Sequence, residues 1–106
     1  MTDAEIVETV KDRLIKAYNP RSVYLFGSFA WGKPDEQSDY DLLVVIDSSD
    51  EKPYKRLFKG IDALSGLGIA KDILVYTRDE FEELASDVST LCYKIKQDGV
   101  KLYEAV

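Results

Sequence analysis

The sequence has no histidine and a single cysteine, Cys92. Without histidine there is no Ser-His-Asp or Cys-His triad, and no imidazole ligand for zinc. A lone cysteine cannot close an internal disulfide, which points to a reducing compartment, and the expected location is the cytoplasm. No apolar run approaches the roughly 20 residues of a bilayer-spanning helix. The N-terminus opens with Asp3 and Glu5 rather than a basic signal region, so no membrane association is expected. Dense basic blocks are also missing. Twenty Asp and Glu against 14 Lys and Arg give a net charge of -6. A phosphate backbone repels such a chain unless its cations are segregated, so stand-alone nucleic-acid binding is not expected. The acidic balance suits divalent cations, and an ordinary solvated surface explains it equally well. Chemistry is left to carboxylates, Lys, Tyr, hydroxyls and hard cations held by oxygen.

What is present is enough for one core. The 106 residues, 45% of them hydrophobic, fit a single domain over 1–106. Thr2 and Glu5 have capping-box spacing, and Ile6, Val7, Val10, Leu14, Ile15 and Tyr18 recur at helical intervals. They predict a helix over 2–18, stopped by Asn19-Pro20. Residues 22–26 read as a short buried strand ending at Gly27-Ser28. A polar loop follows, and then 41–47, the strongest strand in the chain. Its unbroken apolar run predicts a central strand covered on both faces. A helix is expected over 54–65, with Leu57, Phe58, Ile61 and Leu64 on one face and Lys52, Lys55, Arg56 and Lys59 on a solvated one. Gly66 and Gly68 end it. A third strand spans 69–76. Thr77 and Glu80 repeat the capping-box spacing and open a helix over 78–97. Gly99 ends that helix, and 100–104 reads as a last short strand. The order predicts an α/β (α+β) domain: a mixed β-sheet with helices packed against it.

Three places carry candidate chemistry. Asp39 and Asp41 lie two residues apart at the mouth of the central strand, so both carboxylates point to one side. Two such charges repel each other, and a bound divalent cation removes that penalty; magnesium favours carboxylate, phosphate and water oxygens. Taken alone, the pair reads more readily as turn carboxylates before a strand. Gly27-Ser28 stands ten residues upstream. Glycine permits a tight turn and close backbone approach, and Ser28 can cap a short helix or donate to a phosphate. Asp72 sits in an otherwise apolar strand. It either completes a three-carboxylate cluster or faces water from an edge strand.

The combination of Gly27, Ser28, Asp39, Asp41 and Asp72 resembles the signature of the DNA polymerase β-like nucleotidyltransferase superfamily: Gly-Ser, about ten residues, Asp-x-Asp, then a later strand aspartate. Within it the chain looks most similar to the minimal nucleotidyltransferases of prokaryotes, the antitoxin-like partners of HEPN-domain proteins. The resemblance implies a nucleotidyltransferase fold and magnesium-dependent transfer of a nucleoside monophosphate, AMP from ATP, onto a hydroxyl acceptor. In the similar proteins that acceptor is a tyrosine of the HEPN partner. It implies two Mg2+ ions held by Asp39, Asp41 and Asp72, the same three residues being catalytic. It also implies triphosphate contacts from Gly27, Ser28, Lys33 and Ser38. Many members carry arginine after Gly-Ser, where this chain has Phe29 and Trp31, leaving Lys33 as the nearest cation. Phe29 and Trp31 read as core or interface residues. An alternative within the resemblance is a binding module that neutralises a HEPN ribonuclease by contact, with little or no catalysis, in a homo- or hetero-oligomer.

Overall fold

Helix α1 (Asp3–Tyr18) leads into strand β1 (Ser22–Phe26) and a single helical turn, α2 (Ser28–Trp31). Then follow β2 (Tyr40–Ile46), α3 (Pro53–Ala63), β3 (Lys71–Thr77), α4 (Arg78–Ala85), α5 (Leu91–Asp98) and β4 (Val100–Glu104). The computed structural model describes residues 1–35 and 38–106; residues 36 and 37, within the expected polar loop, lie outside the described residues.

The sheet order is β3-β2-β1-β4, with β1 antiparallel to both β2 and β4, and β2 parallel to β3. Parallel strands need a crossover, and α3 supplies it. The mixed sheet with packed helices is therefore the expected architecture. Strand alternation sends successive β2 residues to opposite faces. Leu42 and Val44 enter a core with Val10 and Leu14 of α1 and Leu64 after α3. Leu43 and Val45 enter a second core with Phe81 and Ala85 of α4 and Cys92 and Ile95 of α5. Being covered on both faces accounts for the apolar run of β2.

Helix ends follow local chemistry. Thr2 and Glu5 form the reciprocal capping box of α1, and Asn19 closes that helix in the left-handed region at φ 48°, its N–H donating to the Ile15 carbonyl. Arg13 of α1 donates to the carbonyls of Ala63 and Ser65, satisfying acceptors left open where α3 stops.

Three expectations need correction. The helix expected over 78–97 is two helices, α4 and α5. Between them the Asp87 carboxylate accepts from the Ser89 N–H and hydroxyl, and Thr90 caps α5 by accepting from the Tyr93 N–H. These short polar side chains offer the backbone partners that compete with helix, so the run breaks there. The apolar face of α3 also divides: Leu64 is fully buried, whereas Phe58 and Ile61 are exposed. Finally, Arg56 is not on a solvated face. It is buried, and its guanidinium donates to both carboxylate oxygens of Glu80, at 2.6 and 3.3 Å. Glu80 is also the return partner in the α4 capping box, accepting from the Thr77 N–H. One carboxylate thus ties the crossover helix to the start of α4.

The Arg56 hydrogen bond holds the Glu80 carboxyl below its ordinary value of 4.5. A depressed carboxyl stabilises the fold fully above its unfolded value, and that contribution is lost as pH falls through the lower folded value. Glu80→Gln keeps the shape but leaves Arg56 without its counter-charge. It is expected to cost about 2 kcal/mol at pH 7 in urea unfolding, a figure kept low because Glu80 itself is partly solvated. The difference from wild type should shrink below about pH 4. Equal midpoints at pH 7 would contradict this role.

Candidate active site

The site grows from the point where β1 ends. Phe26, the last residue of β1, pairs with Asp41 of β2. Gly27 then turns the chain at φ 74° and ψ -150°, a region that only glycine occupies without strain. A Cβ on Gly27 would lie 2.0 Å from Asp41 Oδ2. The missing side chain therefore also makes room for the Asp41 carboxylate beside the turn.

The turn is pinned from both faces of the sheet. Phe29 stacks on Tyr40 at 4.1 Å and 13°, and the Tyr40 hydroxyl donates to Asp3 Oδ1 at 2.6 Å. Burial, followed by that bond to Asp3, pushes the Tyr40 hydroxyl up to about 12. On the other side Trp31 packs against Phe26, ring centres 6.0 Å apart, with the Lys94 ammonium of α5 lying 4.7 Å over its indole. The packing reading of Phe29 and Trp31 matches these contacts.

Asp41 and Asp72 are direct register partners across the parallel β2–β3 pair. Both share the parity of Leu43 and Leu74, which face the α4/α5 side. Asp39 lies just before β2, two residues from Asp41. Tyr40, between the two acids, points into the opposite core. Asp41 is half-buried, while Asp39 and Asp72 are exposed. Burial raises the Asp41 carboxyl above its ordinary value, and the charges of Asp72 and then Asp39 push it the same way. Among the described residues, none of the three acids has an ion pair or a side-chain hydrogen bond. β3 is an edge strand and Asp72 meets water, while its register places it beside Asp41.

The donor set is all oxygen, which suits magnesium rather than zinc. Among the described residues, no three acidic, thiol or imidazole groups stand as a preformed metal cage. Coulomb forces act over longer distances than coordination bonds, so the acids sense one another's charge without already being in ligand positions. Among the described residues, neither Lys33 nor Ser38 has a hydrogen bond or ion pair to the three acids. Lys33 is exposed, just past Gly32. The Ser38 hydroxyl accepts from the Asp35 N–H at 2.9 Å and donates to its carboxylate at 3.3 Å, closing a local turn. Lys94 was not singled out from the sequence. It reaches α2 from a distant helix, and no local spacing signals that contact.

Comparison with known proteins supplies the family. Residues 8–105 match the family model described as polymerase beta, nucleotidyltransferase. A protein of Methanocaldococcus jannaschii, named as a "putative protein adenylyltransferase", is 32% identical over 71 residues, covering 66% of this chain and 71% of that one. The crystal structure of a "putative nucleotidyltransferase" from Sulfolobus solfataricus superposes with a TM-score of 0.65 at 19% identity, over 95% of this chain and 82% of that one; at this identity it speaks to the fold. A model match over nearly the whole chain makes the assignment: the protein belongs to the polymerase β-type nucleotidyltransferase family. Its activity is accordingly that of a nucleotidyltransferase. Among the described residues no helix is long and apolar enough to cross a membrane.

Two outcomes follow from the local geometry. A carboxyl raised on folding binds its proton more tightly in the native state, so ionised Asp41 opposes folding at neutral pH, and stability rises as pH falls toward its pKa. In EDTA at pH 7, Asp41→Asn should raise the thermal unfolding midpoint, with the gain fading at acid pH; a lowered midpoint would contradict the repulsion. Gly27→Ala puts a methyl group on the Asp41 carboxylate in a strained backbone. It should cost about 1–3 kcal/mol in denaturant unfolding.

Proposed function

We propose that this chain transfers AMP from ATP to a hydroxyl of a protein acceptor with magnesium as cofactor, the acceptor being a tyrosine of a HEPN-domain partner in a toxin–antitoxin pair. The reading rests most on the side-by-side register of Asp41 and Asp72 against the Gly27 turn. Family membership supports nucleotidyl transfer in general, and the name of the Methanocaldococcus jannaschii relative favours adenylate and a protein target.

In this reading Asp39, Asp41 and Asp72 would hold the ions. When bound, magnesium supplies positive charge to the attacking and leaving oxygens of an in-line displacement. Asp72 accepts the proton of the incoming hydroxyl. The acceptor oxygen bonds to the α-phosphorus, the bond from that phosphorus to the α,β-bridging oxygen breaks, and pyrophosphate leaves with the electron pair. Gly27, Ser28, Lys33 and Ser38 contact the triphosphate. The pinning of α2 by Phe29 and Trp31 keeps Ser28 in place through this exchange.

A second reading, neutralisation by contact, is favoured by one observation: Tyr54, Phe58 and Ile61 leave an exposed apolar stripe on α3. Intact-mass measurement of the co-expressed partner after incubation with magnesium and each of the four nucleoside triphosphates separates the two. The proposal expects added AMP with ATP, and none with the Asp39→Ala/Asp41→Ala variant. No added mass from any nucleotide overturns it. Full neutralisation of the partner by the double variant establishes contact instead.

A further inference from the structure

At the end of the sheet away from the acids, where Ser22 pairs with Val45, a cleft of about 240 Å³ opens between the start of α4, the end of α5 and β4. Four residue steps along β1 separate this end from the Phe26–Asp41 pair, about 13 Å at the usual rise. Four cations line the cleft, each from a different part of the chain: Arg21 before β1, Arg78 of α4, Lys96 of α5 and Lys101 of β4. Glu82 and Glu104 also line it, so the wall carries four positive charges against two negative, a surplus of two in a chain whose net charge is -6.

The cations are only loosely engaged. Arg78–Glu82 at 3.7 Å, Lys101–Glu104 at 3.2 Å and Arg21–Asp47 at 3.5 Å are all solvent-exposed pairs, and such pairs contribute little. Among the described residues Lys96 has no ion pair. A second observation is independent of charge. Ser22 is buried, lines the cleft, and makes no side-chain hydrogen bond to any described residue. No polar side-chain atom among the described residues is both sealed from solvent and unbonded, so the Ser22 oxygen is open to the cleft. There water or a bound anion can accept the hydroxyl proton.

We infer that this cleft binds a small phosphate-bearing anion. Two guanidinium forks, two ammonium groups and a hydroxyl line this cleft from different parts of the chain. That set matches the several acceptor oxygens of a tetrahedral phosphoryl group better than a flat carboxylate. The site is separate from the acidic cluster and does not depend on the activity proposed there. Free phosphate, pyrophosphate and the phosphate of a mononucleotide share this chemistry.

The test is a titration of the 15N-labelled protein with inorganic phosphate, pyrophosphate and AMP in turn, in EDTA at constant ionic strength, with acetate as control. Expected are saturable shifts at the amides of Ser22, Arg78, Lys96 and Lys101 with at least one of the three, and none with acetate. In Arg78→Glu/Lys96→Glu, altered only at exposed positions, the midpoint should rise at least tenfold; in Ser22→Ala it should rise severalfold. No saturable shift in the wild type, an equal response to acetate, or unchanged midpoints in both variants overturns the site.

Discussion

The parallel register of β2 and β3 is the constraint on which the site depends. It sets Asp41 beside Asp72 although their charges repel. Side chains alternate along a strand, so a slip of one residue would turn Asp72 toward the α1/α3 core and expose Ile73 and Val75. The cores hold the register. Ile73 and Val75 are buried on one face, and Leu74 and Tyr76 pack on the other. Each buried aliphatic side chain contributes about 1.5–3 kcal/mol, whereas repulsion between partly solvated carboxylates is smaller. Apolar burial therefore wins, and it stores a like-charge cluster at the open end of the sheet.

The two ends of the sheet differ for reasons that lie in the chain. Where β3 ends, α4 begins at once, and Glu80 joins its cap to the buried Arg56 of α3. That end is tied together by a bidentate pair. The opposite end holds the three acids, two of them exposed, with no ion pair among the described residues to neutralise them. Its rigidity comes instead from aromatic packing. Phe29 on Tyr40 and Trp31 on Phe26 clamp the turn that starts at Gly27. Hydrophobic contacts thus position carboxylates whose interactions with one another are unfavourable.

Much of this was legible in the sequence because it is local. The apolar run of β2, both capping boxes and the glycine before Ser28 are short-range signals, and the structure shows each in its expected setting. Gly27 is needed for a reason spacing alone does not give: the Asp41 carboxylate occupies the place of its Cβ. What was not legible is long-range. Arg56 looks like one more charge on a basic helix until Glu80 appears beside it, and Lys94 has no marker for its place over Trp31. The break between α4 and α5 was hidden because Thr77 and Gly99 bracket an otherwise helical run, while Asp87, Ser89 and Thr90 supply the competing bonds inside it.

The central claim is that Asp41 and Asp72, brought together by strand pairing, act as one cation-binding unit for a nucleotide. Its most direct test is Mn2+ electron paramagnetic resonance in the presence of a non-hydrolysable ATP analogue, comparing wild type with Asp72→Asn. The account predicts nucleotide-dependent Mn2+ binding in the wild type and at least about tenfold weaker binding in the variant. Equal affinities, or no nucleotide-dependent binding in either protein, would contradict it.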